Sequence, residues 1–146
     1  MARFSTGGRT GAGSTTLPII SLYSGGANNL PKIREIGVTN TTTTAVAIKL
    51  IRLTTTGTQG TGLTETGHDG SGASAVAAGF NTHSGAPTLG GDLGYNATLG
   101  AAAGAGVIWT FGDTGLVVPA GTTQGVGVLV ATGTGQVCDA YIVWDE

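Results

Sequence analysis

Apolar and polar residues alternate with a period of two along much of this chain, the signature of half-buried strands. The clearest run is 45–53. There Val46, Ile48 and Leu50 share one face, while Ala45, Ala47, Lys49, Ile51 and Leu53 share the other. The run at 32–38 puts Arg34, Ile36 and Val38 on one face and Ile33, Glu35 and Gly37 on the other. Only the polar link 39–44 separates these two runs, which predicts an antiparallel hairpin. A strand at 17–23 precedes them, with Pro18 at its start, where proline is tolerated.

Four more strands follow toward the C-terminus. Residues 107–111 place Val107, Trp109 and Phe111 together, and 116–118 form a short strand ended by Pro119. Residues 125–131 align Val126, Val128 and Val130. The last strand, 136–144, sets Cys138, Ala140, Ile142 and Trp144 against Val137, Asp139, Tyr141 and Val143. Clusters of Gly, Asn, Asp and Pro separate the runs. These are seven strands, and 62–66 and 94–99 could add short ones, for about eight in all. This predicts an all-β, antiparallel two-sheet β-sandwich of jelly-roll type. An immunoglobulin-like sandwich is the alternative, but its Cys…Trp…Cys spacing is absent.

Two segments break the pattern. Residues 1–16 are Gly, Ser, Thr and Arg with one aromatic, Phe4, so they read as a flexible N-terminal arm without a core of its own. Arg3, Phe4 and Arg9 are its expected partner-binding anchors. Residues 54–106 form a Gly/Ala/Thr-rich loop region with sparse large apolar residues. Ala73 to Ala78 could make one helical turn there. Stretches of this length usually serve a function, here contact with a partner. The division is therefore an arm at 1–16 and one β-sandwich domain at 17–146.

Composition sharpens this reading. Of 146 residues, 28 are Gly and 25 are Thr, while charged residues are only 10%, far below the usual quarter. Threonine fits a pleated surface and glycine fits turns. So much glycine costs stability, and neighbouring subunits are expected to supply part of it. All six basic residues lie within 1–52, which carry a net +5; residues 53–146 carry −7. Either one fold mixes the two halves, or the basic arm docks on an acidic neighbour. Six scattered basic residues at a pI near 5.5 argue against nucleic acid as a partner. No apolar stretch reaches membrane-spanning length, and no secretory signal is expected at the N-terminus. The protein is expected to be made in a cytoplasm.

Chemistry is sparse. His68 beside Asp69 could be combined with a serine, but no nucleophile motif such as Gly-x-Ser-x-Gly is present, so His68 reads as a surface-loop residue. One Cys and two His cannot supply a four-ligand zinc site. Asp69, Asp92 and Asp113 lack the alternating pattern of a calcium loop. Gly11-Ala12-Gly13-Ser14-Thr15-Thr16 has no P-loop lysine. Cys138 alternates with apolar residues and reads as core. Trp109, Trp144, Phe111 and Tyr141 could line a sugar site, but Trp109 and Trp144 read first as core residues. No catalytic residue, metal ligand or cofactor site is expected.

Three stretches carry a resemblance: the Arg/Gly/Thr-rich start at 1–16; Ile33-Arg34-Glu35-Ile36-Gly37-Val38-Thr39-Asn40-Thr41-Thr42-Thr43-Thr44-Ala45-Val46-Ala47-Ile48; and Leu116-Val117-Val118-Pro119-Ala120-Gly121 with Tyr141-Ile142-Val143-Trp144-Asp145-Glu146. In these the chain resembles small structural proteins of tailed bacteriophages, in particular head decoration (capsid cement) proteins. The likeness is one of pattern across most of the chain and transfers no individual site residue. It implies a non-enzymatic virion protein on the capsid exterior, bound to the major capsid protein and to copies of itself, often as a trimer. A tail or fibre component, or a carbohydrate-binding module using Trp109 or Trp144, are the alternatives.

Overall fold

The computed structural model describes residues 1–70 and 72–146, which form eleven strands and no helix. In chain order they are β1 (Arg3–Arg9), β2 (Ile20–Tyr23), β3 (Lys32–Asn40), β4 (Val46–Leu53), β5 (Thr66–Gly67), β6 (Ala78–Asn81), β7 (Leu89–Leu99), β8 (Gly106–Thr110), β9 (Leu116–Val117), β10 (Gly125–Thr132) and β11 (Cys138–Asp145). They build two antiparallel sheets packed face to face. The first has the order β5-β1-β11-β3-β8, with β9 also on β3; the second has the order β6-β2-β10-β4-β7.

The period-two faces explain the packing. From the second sheet, Ile20, Leu22, Val46, Ile48, Leu50, Val126, Val128 and Val130 point inward. They meet Phe4, Ile33, Ile36, Val38, Cys138, Ala140, Ile142 and Trp144 of the first. β10 is buried on both sides. Its Leu129 joins Tyr23, Ile51 and Leu53 in a smaller cluster on the outer face, covered by Phe80 and Leu89. The two-sheet sandwich and the inward faces of β4, β10 and β11 agree with the sequence reading.

Four expectations fail, each for a physical reason. Residues 1–16 are not a free arm, because Arg3–Arg9 is an internal strand between β5 and β11. Phe4 and Thr6 point inward, with Phe4 only 2% exposed and stacked on Trp144 at 5.8 Å. Next, β3 and β4 are not a hairpin: β3 pairs with β11, β8 and β9, and β4 with β10 and β7. The link crosses between sheets because buried Asn40 holds the corner, donating from Nδ2 to the carbonyls of Thr44 and Gly100. Third, Ala73–Ala78 makes no helical turn, since the chain is already extended into β6 to pair with β2. Fourth, the 54–106 region is less of a loop than expected: it holds β5, β6 and the eleven-residue β7, the last extending the short strand read at 94–99, because strand partners outweigh its weak local pattern.

The faces of β3 also differ from strict alternation. Val143 faces Glu35 but Trp144 faces Ile33, so Arg34 is the extra residue of a β-bulge. The bulge turns both Ile33 and Ile36 into the core and leaves Arg34 free to reach Asp145.

Candidate functional site

The outer face of the first sheet carries two arginine–aspartate pairs and Tyr141 in register. Antiparallel pairing sets Arg3 opposite Asp145 and Arg9 opposite Asp139. Arg3 grips Asp145 through two hydrogen bonds of 2.7 and 3.1 Å, and Arg34 adds a third at 2.6 Å. Arg9 grips Asp139 in the same two-pronged way at 2.9 and 3.1 Å. The Arg3 hydrogen bond, against some desolvation and with Arg34 helping, holds the Asp145 carboxyl below the usual carboxylate range. Arg9 does the same for Asp139. Of the two readings of the charge split, the pairing fits the one in which a single fold mixes both halves, since the basic N-terminus meets the chain's own last strand.

Between these ion pairs lies the row Ile108, Gly37, Tyr141 and Gly7, drawn from β8, β3, β11 and β1. The Tyr141 ring lies over Gly37, where a Cβ would overlap its Cε1 and Cζ atoms. Its hydroxyl donates to Glu35 Oε1. Burial, and then the Glu35 bond, push the phenol up to about 12. The ring leans toward β3, so the Gly7 side of the row stays uncovered. A groove of about 490 Å³ runs there, lined by Ser5, Thr6, Gly7, Thr64, Thr66, His68, Tyr141 and Val143.

The three anchors expected for the arm therefore part company. Arg3 and Arg9 lie on this face, engaged by Asp145 and Asp139, whereas Phe4 is core and unable to meet a partner. His68 is exposed in the turn after β5, its amide donating to the Arg3 carbonyl at 2.8 Å. Trp109 and Trp144 are both buried, as their core reading predicts, so the alternative of a sugar site on them falls away. Burial pushes the thiol of Cys138 up to about 11, which leaves it a protonated core residue. Among the described residues no group of three or more His, Cys, Asp or Glu side chains converges to hold a metal. Asp92 instead accepts from Lys49 and from the Gly94 amide.

One pairing was invisible in the sequence. Ser21 Oγ and His83 Nε2 lie 2.9 Å apart, with the residues 0% and 2% exposed. The spacing is that of a nucleophile and its base. Yet sheet and loop close over both, and no carboxylate among the described residues orients the ring, so the pair works as a buried pin. The only available signal was a serine on the apolar run Ile19-Ile20-Ser21-Leu22.

The fold is that of an all-β protein with two packed antiparallel sheets, and the outer face of the first carries ion pairs, glycines and a tyrosine. No family model matches the chain, and no curated protein or solved structure is similar to it.

Proposed function

We propose that this protein is a structural component of a virus particle, seated on the capsid exterior as a decoration or cement protein. Its partners in this reading are the major capsid protein and further copies of itself. The observation that carries the reading is strand order. Apart from the short β5, β6 and β9, the remaining eight strands numbered in sequence run 1-8-3-6 in one sheet and 2-7-4-5 in the other. That order fits a jelly roll of two Greek keys, an architecture used by viral capsid and lectin domains. Fold-level analogy of this kind raises the class of function and names no site.

Surface chemistry supports the same reading. Few charges need desolvating when the surface is covered, and four of the basic side chains are already paired within the chain. Strand β8 offers an uncharged edge with Ile108 61% exposed. Exposed Leu30 and Val76 flank the Glu146 carboxylate, which accepts from Asn29 Nδ2 and from the Val76 and Ala77 amides. Attachment through a free N-terminal arm is not part of this proposal, because β1 belongs to the sandwich.

The test is a copy count on intact particles, together with heat challenge of particles lacking the protein. Hundreds of copies and a lowered particle melting temperature are expected. A handful of copies at one vertex would move the protein to a tail or fibre, and its absence from particles would overturn both readings.

A further inference from the structure

We propose that the groove over Gly7 is a binding site for a neutral saccharide. This inference does not rest on the virion reading, since it concerns the groove alone. Three observations carry it.

The groove is built by the register of the sheet. Tyr141 stands between Gly7 and Gly37, and either glycine side could have received its ring. The bond to Glu35 commits the ring to the Gly37 side. On the other side Gly7 keeps the floor low, and a Cβ there would stand 2.6 Å from the Ala140 carbonyl oxygen and 2.8 Å from Tyr141 Cβ. The Ser5–Thr66 pair and His68 form the far wall. Groups placed on paired strands hold their positions better than groups on loops. The volume of about 490 Å³ lies within the range of small-molecule sites, about 300–1,000 Å³.

The lining is hydroxyl-rich and uncharged. Ser5, Thr64 and Thr66 supply hydroxyls, His68 supplies ring nitrogens, and Tyr141 and Val143 supply apolar surface. No Asp, Glu, Lys or Arg lines the groove. Neutral donors and acceptors beside one aromatic group match a pyranose, which has hydroxyls at its rim and C–H groups on its faces.

The flanking charges are committed elsewhere. Arg3 is held by Asp145 and Arg9 by Asp139. With these charges neutralised and no Lys or Arg in the lining, an anionic ligand such as a phosphate or a sialic acid would meet no unpaired cation in the groove. An apolar peptide would find only Tyr141 and Val143. The side-chain hydroxyls of Ser5 and Thr66 make no hydrogen bond to any described residue, so they are free to meet a ligand's hydroxyls.

The experiment is a titration of the full ¹⁵N-labelled chain, read by amide chemical shifts. The probes are maltose, cellobiose, xylobiose and lactose, with 3′-sialyllactose as the charged counterpart. At least one neutral disaccharide should give saturable shifts centred on Ser5, Gly7, Thr66 and Tyr141. Its affinity should be on the order of millimolar, as befits an open site with few contacts. Thr66→Tyr, which fills the groove from an exposed position, and Tyr141→Leu should each weaken binding by about tenfold or more. The Thr66→Tyr spectrum should otherwise overlay that of the parent, which separates blockage from unfolding. Absence of saturable shifts, shifts centred elsewhere, unchanged affinity in Thr66→Tyr, or tighter binding of 3′-sialyllactose would each overturn the proposal.

Discussion

Ser21 and His83 show how a polar pair is tolerated inside an apolar wall. Burying polar groups costs least when they find partners; here the hydroxyl and Nε2 serve each other at 2.9 Å, while the buried Nδ1 lacks a well-formed partner. The ring also packs on Tyr23, with centroids 6.1 Å apart. Burial pushes the imidazole pKa below its ordinary value, opposed in part by the Gly85 backbone. The ring meets Ser21 and Tyr23, neither of them charged, so desolvation outweighs the Gly85 hydrogen bond and the neutral form is favoured. As pH falls through about 6.5, the unfolded chain takes up a proton before the folded chain does. Stability is therefore full above that pH, declines below it, and levels off under the folded-state value. Urea midpoints should drop between about pH 7.5 and pH 5. His83→Gln should remove this step while lowering stability throughout, whereas His68→Gln, at an exposed turn, should retain it. A His83→Gln protein with the parental pH profile would refute the assignment. The role of His83 was not legible in sequence, whereas His68 sits in an exposed turn as its surface-loop reading predicts. Asn81-Thr82-His83-Ser84-Gly85 reads as a surface turn, and its burial arises only when the chain folds back beside β2, with the His83 amide bonded to the Pro18 carbonyl.

At the scale of the element, β1 decides the most. Its composition resembles an arm, and one aromatic in sixteen residues gave no reason to expect a strand. A pattern was nonetheless present. Arg3 and Arg9 are spaced as Asp139 and Asp145 are, and antiparallel pairing of equal spacings puts both ion pairs in one register. The signal lay in the relation between two ends of the chain, which local periodicity cannot see. The failed hairpin has the same origin, because β3 and β4 each found a better partner far away. By contrast β4, β10 and β11 were read correctly, since their β-branched alternation holds whatever the partner. Phe4 gives the test. Truncation to alanine leaves a void beside Trp144 and should cost about 3–5 kcal/mol in urea unfolding. Deleting residues 1–10 should do more, exposing Trp144 and one edge of β11. Its tryptophan emission should shift to the red, and cooperative unfolding should be lost. A truncated protein with native emission and a sharp transition would restore the reading of 1–16 as a dispensable arm.

Over the whole molecule, the central pair of the first sheet joins the two ends of the chain. β1 and β11 pair along seven residues, and beyond them the Ala2 and Glu146 backbones exchange hydrogen bonds of 2.8 and 3.0 Å. Such distant pairing is slow to form, because most of the chain must be closed into a loop first. The same geometry makes the ends easy to join. A short Gly/Ser linker from Glu146 to Met1 turns β11 and β1 into a local hairpin. New ends can be opened between Gly133 and Thr134, both exposed, where a Cβ on Gly133 would meet nothing within 4 Å. Replacing a loop of over a hundred residues by one of a few lowers the closure cost of this pair by about 2–3 kcal/mol. The permuted chain should fold to the same sandwich, with the far-ultraviolet spectrum of the parent and Trp144 still buried. Its refolding arm in a denaturant chevron should lie about tenfold or more above the parent's if the β1–β11 pair forms in the transition state. Unchanged refolding with faster unfolding would place that pairing after the barrier. Failure of the permutant to fold would show that the 133–137 connection, and not the joined ends, holds the first sheet in register.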